Sequence, residues 1–437
     1  MRKILVISIS LTLAATLSAC SVPATTTVGS AASGTALFDS SAVHDISITF
    51  DQDEYDAVIA AYQADGTKEW LSATITIDGT TFENVGLRLK GNSSLRGLQS
   101  NGASPSGDES GDAEDPATLP WLIRLDEYVD GQTYQRRSEL IVRGNNTETS
   151  LNEALALELL GEAGLATQEA TPVRLTVNEG DAELRLVIES PDDELWSEDV
   201  FGDDGITYEA ETEGDYSYRG SAGSDYADAF TVQAGDDDLQ PVADLLTFVD
   251  QSSDAEFAAS LGDYLDVDRF GTYLALENLI ANTDDIDGPG NNSYLRWDAD
   301  TGLVTVVAWD HNLAFGGFGH GGAGQGGGMP QGGGMPPQQG GQDQQQGGGP
   351  TGGMPGGMGG GMQKDNPLTT RFLADPTFAA MVDDATADLQ AALYDSGDAQ
   401  QILDEWVEVL ETQAGDLVDS ATVESDAARI EAYFTSD

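Results

Sequence analysis

Half of the residues between Gly316 and Gln363 are glycine, and most of the others are glutamine, methionine and proline. Such a stretch has too few large apolar side chains to repay the entropy of ordering its backbone, so it reads as a disordered insertion. Its methionines read as flexible filler. Any core must therefore be assembled from both sides of the insertion, by residues 44–315 before it and 364–437 after it.

The start of the chain carries an address. Arg2 and Lys3 precede an apolar run from Ile4 to Leu17, followed by small residues, the pattern of a secretory signal. The run is short for a bilayer span. Leu17-Ser18-Ala19-Cys20 resembles the lipobox of bacterial lipoproteins, which implies residues 1–20 as signal peptide and a lipid on Cys20. The protein is then expected outside the cytoplasm, anchored to the membrane, with residues 21–43 as a flexible tether. Cys20 is the only cysteine, so no intramolecular disulfide can form.

Acidic residues outnumber basic ones 76 to 18, for a net charge of −58. Nucleic-acid binding needs a basic face and is excluded as a function class. Adhesion to anionic lipid would need the acyl anchor.

Period-two and helical patterns alternate along residues 44–315. Ile46–Phe50 reads as a strand and Asp51–Gln63 as a helix. A hairpin follows, 73–77 with 81–89, turning at Asp78-Gly79. It delivers Lys90 and the loop Gly91-Asn92-Ser93-Ser94, whose backbone N–H groups suit a phosphate. The alternative reading is a surface turn. Residues 98–118 read as a solvated insertion. Trp121–Asp126 and Glu139–Val142 are expected strands, and Arg124 and Arg143 are cations on strands that need partners. Ser150 and Glu153 form a capping box opening a helix to about Ala163, and capping alone accounts for an acid at 153. A second hairpin, 173–177 with 183–189, ends on Glu189, which faces either solvent or a cleft. Residues 202–237 show little periodicity and read as an irregular lobe. Helices are expected over 241–249, 254–261, 368–373, 376–394, 399–412 and 423–434.

The densest chemistry lies at 282–317. A helix capped by Asp266 or Asp268 should end at Asn282, because Gly288, Pro289 and Gly290 cannot continue it. A hairpin, 293–297 with 303–309, follows. Asp284, Asp285, Asp287, Asn291 and Asn292 then sit at one end of that hairpin, where Asp310 and Asn312 also emerge. Carboxylate and amide oxygens are the ligands a hard cation such as Mg²⁺ or Ca²⁺ takes. Asp and Asn are also ordinary turn residues, so the loop aspartates are not told apart by pattern. Asp310 stands out, because a charge between two apolar runs is usually paired or metal-bound.

Four segments in this order resemble the CotH family of atypical secreted protein kinases: VGLRLKGNSSL at 85–95, WLIRLDEYVDGQTY at 121–134, the Glu153 helix, and NTDDIDGPGNNSYLRW at 282–297 with AWDHNLAFGGF at 308–318. The likeness spans most of residues 44–395. It implies an α+β, kinase-like two-lobed fold with antiparallel hairpins and a helical C-terminal subdomain. It implies phosphoryl transfer from ATP, with Mg²⁺ or Mn²⁺ (or Ca²⁺), to Ser or Thr of exported or cell-surface proteins. On that likeness Asp310 binds metal, with Asn292 and Asn312 as amide partners. Asp284 is the catalytic carboxylate and Asp287 its rival. Lys90 or Arg124 holds phosphate with Glu153 as its partner, and Ser93 and Glu189 complete the nucleotide side. Arg124 stands where many relatives carry Lys, and no G-x-G-x-x-G loop is visible. The other reading is a non-catalytic surface or coat scaffold that uses its acidic loops to bind cations or partners.

Overall fold

The computed structural model describes residues 36–91, 93–95, 98, 112–202, 204–211, 214–286, 292–316 and 366–435. The expected signal segment, most of the expected tether and nearly all of the glycine-rich stretch lie outside them.

Alternation builds a seven-stranded barrel. Strands β1 (His44–Phe50), β2 (Leu71–Ile77), β3 (Thr80–Leu89), β4 (Trp121–Arg124), β5 (Glu139–Val142), β6 (Ala170–Val177) and β7 (Ala182–Glu189) close in the order β1-β2-β3-β4-β5-β7-β6. Every pairing is antiparallel except β1 with β6, which is parallel. Ile48, Ile75, Leu87, Trp121, Ile123 and Val142 point inward and fill the lumen. Their neighbours Leu122 and Ile141 point outward into a second, larger core. Helix α1 (Gln52–Asp65) follows β1, its N-cap Asp51 accepting from the N–H groups of Asp53 and Glu54.

That larger core lies between the outer barrel face, helix α2 (Leu151–Glu162) and a second sheet. The sheet is antiparallel, in the order β11-β10-β8-β9, formed by β8 (Gly205–Ala210), β9 (Phe230–Ala234), β10 (Ser293–Asp298) and β11 (Val304–Ala308). Between the two sheets runs α3 (Glu194–Phe201), and α4 (Gln240–Gln251) and α5 (Asp254–Ser260) follow β9. Helix α6 (Val267–Leu279) is capped by Asp266, which accepts from Arg269 N–H. Four helices complete the chain: α7 (Pro367–Ala374), α8 (Pro376–Leu389), α9 (Asp398–Gln413) and α10 (Ser420–Phe434), with a π-helical turn at Gln390–Asp395 after α8. Phe270 of α6 packs edge to face on Phe372 of α7, with ring centroids 4.9 Å apart, so one core joins the segments before and after the insertion.

Three expectations are corrected. Residues 202–237 are not an irregular lobe: β8 and β9 lie within them and extend the 293–309 hairpin into a sheet. Both strands are short, 206–210 and 230–234 alternating for only five residues each among glycines and acids, and the pairing of β8 with β10 that places them in a sheet is non-local. The 98–118 segment is not wholly solvated. Ala117 is buried and the Trp121 indole donates to Pro116 O at 2.8 Å; residues 99–111 lie outside the description. Ser150 makes no capping box either. Its backbone is left-handed, at φ +53°, its side chain caps nothing, and Glu153 turns away toward Arg143.

Candidate functional site

Arg143 leaves the end of β5, where the barrel meets α2. Its Nε lies 2.8 Å from Glu153 Oε1, and its Nη2 also binds Asp310 Oδ1. The guanidinium sits over the Trp309 ring, 5.4 Å from its centroid. Arg143 and Glu153 are buried. Burial pushes the Glu153 carboxyl up, against the pull of Arg143. Burial works against the Arg143 charge, but Glu153 and Asp310 outweigh it and hold the guanidinium protonated. One cation thus serves two carboxylates, from α2 and from the end of β11.

Two loops face each other here, and both turn sharply. Ala281, past the end of α6, has φ +50°, and Asp310, past the end of β11, has φ +64°. Left-handed backbone at non-glycine residues stores strain that surrounding contacts must hold. Asp284 N–H donates to Asn282 Oδ1 at 3.3 Å, and Asn292 Nδ2 donates to Asp284 O at 2.7 Å. The Asp284 carboxyl is pushed up by burial first and by the negative charge of Asp310 second, with Asn292 opposing. Asp284, Asn292 and Asp310 therefore converge. Asn312 is tied to α2 instead, its carbonyl accepting from Asn152 Nδ2 at 2.7 Å. Asp285 is buried beside them, and Asp287 lies outside the described residues.

This donor set suits a hard cation that keeps part of its water shell. Two mutually repelling carboxylates and an amide oxygen are what Mg²⁺ takes when a substrate phosphate supplies further ligands. Among the described residues no three His, Cys, Asp or Glu side chains form a ready-made cage.

A second cation also lies over Trp309. Lys90 Nζ lies 5.7 Å from the same ring centroid, 2.9 Å from Asp192 Oδ2 and 3.9 Å from Glu209 Oε1. Tyr294 OH donates to the other oxygen of Asp192 at 2.7 Å. Burial disfavours the Lys90 charge, and Asp192 and Glu209 more than restore it.

Glu153 therefore pairs with Arg143, not with Lys90 or Arg124 as expected from the resemblance. Arg124 is taken by Glu139 and, at 3.7 Å, by Glu127. Glu189 lies apart: it accepts from Arg137 at 2.5 Å, from Trp196 Nε1 at 3.0 Å and from Glu169 N–H at 2.9 Å. Ser93 opens a 3₁₀ turn, Ser93–Leu95, and its side chain lies outside the description. Sequence reasoning flagged Arg143 as a cation in want of a partner but did not assign it to the site. Asp192, Glu209 and Tyr294 were missed altogether. They meet Lys90 from three separate elements, and no local spacing could announce that.

A barrel and a second sheet that together bury paired charges beside an acid-and-amide loop define a mixed α+β protein. The sequence profile of the family described as CotH kinase protein matches residues 88–425, and the chain belongs to that family. The match starts later and runs further than residues 44–395. No curated protein matches the chain.

Proposed function

We propose that this CotH-family protein is a divalent-cation-dependent phosphotransferase that moves the γ-phosphoryl group of ATP to Ser or Thr hydroxyls of exported or cell-surface proteins. The reading rests on one observation: Arg143 holds Glu153 and Asp310 together, while Asp284 on the facing loop lies within reach of the Asp310 charge. A kinase needs a cation for phosphate held by a helix glutamate, a metal-binding aspartate at a strand exit, and a carboxylate for the attacking hydroxyl. Arg143, Asp310 and Asp284 take those roles. On this reading the barrel is one lobe, and the second sheet with its helices is the other.

Asp310 and Asn292 would hold Mg²⁺ or Mn²⁺, which supplies charge neutralisation on the phosphates. Arg143 orients a phosphate oxygen and remains charged throughout. Asp284 accepts the hydroxyl proton as the oxygen bonds to γ-phosphorus and the bond to the ADP oxygen breaks. A carboxyl raised by burial and by a like charge is a better base for this than a solvated one. Lys90, bound to Asp192 across the indole, is the second phosphate contact. The lipid on Cys20 would keep this activity at the outer membrane surface.

A thermal-shift titration with Mg²⁺ or Mn²⁺, with and without ATP, tests the proposal. ATP with metal should raise the melting temperature beyond metal alone, and labelled γ-phosphate should appear on protein. A shift from metal alone that ATP does not extend would favour the cation-binding scaffold.

A further inference from the structure

Glu277, in the last turn of α6, is buried at 1 % exposure, and its carboxylate is divided between the two loops of the site. Oε1 lies 2.9 Å from His311 Nε2, one residue after Asp310. Oε2 accepts from Asn282 Nδ2 at 2.9 Å, and Asn282 Oδ1 in turn accepts from Asp284 N–H. The Glu277 carbonyl also accepts from Asn282 N–H at 3.0 Å. His311 is fully buried, and its Nδ1 has no hydrogen-bond partner among the described residues, so its ring is anchored through Nε2. Both loops depart from the bridge through left-handed residues, Ala281 and Asp310. Two strained turns that leave one buried carboxylate cannot move independently.

We infer that Glu277 is a positioning residue that fixes Asp284 against Asp310 by holding Asn282 with one oxygen and His311 with the other. Its bearing on metal binding rests on the phosphotransferase reading above; the bridge itself does not. A carboxylate is needed because it accepts at both ends. Glutamine has the same shape but offers one acceptor and one donor, so it cannot accept from both His311 Nε2–H and Asn282 Nδ2–H. Groups that orient metal ligands typically contribute about 10–100-fold in metal affinity.

The test compares wild-type protein and Glu277→Gln, both full chain, by amide hydrogen exchange and by Mn²⁺ titration followed by electron paramagnetic resonance. Exchange should quicken in residues 281–286 and 308–315 together, and Mn²⁺ affinity should fall about tenfold or more. Unchanged exchange, or quickening in only one of the two loops, overturns the inference. So does unchanged Mn²⁺ affinity in a variant whose loops have loosened. If wild-type protein binds no Mn²⁺ even with ATP, the phosphotransferase reading falls instead, and the exchange data alone judge the bridge. Should Glu277→Gln fail to fold, Asn282→Ser cuts only the arm to Asp284. It should quicken exchange at 281–286 and weaken Mn²⁺; no change in either overturns the inference.

Discussion

Lys90 and Arg143 lie against the same indole: the ring of Trp309 is 5.7 Å from the Lys90 ammonium and 5.4 Å from the Arg143 guanidinium carbon. Each cation is paired with carboxylate, Lys90 with Asp192 and Arg143 with Glu153 and Asp310. The ring contributes cation–π attraction to both. Trp309→Ala should therefore cost about 3–5 kcal/mol in urea unfolding, as expected for losing a buried Trp. Trp309→Phe should cost less than half of that and retain metal-dependent ATP binding.

Removing Asp310 and removing Asp284 should have different consequences. Asp310→Ala is expected to abolish the additional thermal shift that ATP gives with Mg²⁺ or Mn²⁺. Asp284→Ala should leave most of that shift in place and lower the rate of phosphoryl transfer by about 10²–10⁴-fold, the usual contribution of a positioned general base. Binding and turnover measured on the same two variants check this, and equal loss of both in both variants would be the wrong result.

Glu153→Ala should be among the most damaging single changes. It leaves Arg143 buried with Asp310 as its only remaining carboxylate, and breaking a buried pair by removing one partner costs about 3–5 kcal/mol. Denaturant midpoints for Glu153→Ala and Glu153→Gln would measure it. The glutamine variant should fall between the parent and alanine, since it keeps an acceptor near the guanidinium.

Stability should decline through mildly acidic to neutral pH because of Glu209. Burial first, and Asp192 second, push its carboxyl up from 4.5 to about 7, with Lys90 opposing. Between those values the folded protein keeps a proton that the unfolded chain has already released. The unfolded state then binds fewer protons, so unfolding free energy falls as pH rises from about 4.5 to 7 and levels off above. Glu209→Gln should gain stability relative to the parent across that window, most visibly at pH 7–8. Urea midpoints at pH 5, 6, 7 and 8 would show the two curves separating; parallel curves would refute it.

Ser150→Gly should stabilise the protein by about 0.5–1 kcal/mol. The left-handed backbone costs an L-residue about 1–2 kcal/mol, and glycine removes this at a smaller entropic cost. A capping serine would behave oppositely and lose stability. The sign of the change in melting temperature distinguishes the two cases.

Individual strands of the barrel were legible because strand alternation is a local property, as in β1, β2, β3, β6 and β7, and Asp78-Gly79 marks one turn outright; their closure into a barrel was not. The α6 helix and the hairpin after it were legible for the same reason, with Asp266 one of the two caps the pattern offered. Arg143 with Glu153 was not. Ten residues separate them, a capping box accounted for Glu153 by pattern, and the family likeness paired it with Lys90 or Arg124 instead. The β8 and β9 strands were hidden because their place in a sheet is set non-locally: β8 pairs with β10, more than eighty residues further along, and β9 joins the sheet through β8. The juxtaposition of Asp284 with Asp310 was anticipated from hairpin geometry. What holds the two loops was not, since Glu277 reads in sequence as one more acid on a helix.

The ring of seven strands shuts at a single seam, where β1 runs alongside β6 in the same direction. The family profile begins at Arg88, so a fragment trimmed to that profile would discard β1, β2 and nearly all of β3. It would expose unsatisfied backbone along β4 and along β6, two bare margins ready to recruit strands from neighbouring molecules. Such a fragment would be expected to clump rather than fold, so the stretch from His44 to Leu87 is the hoop that covers both margins.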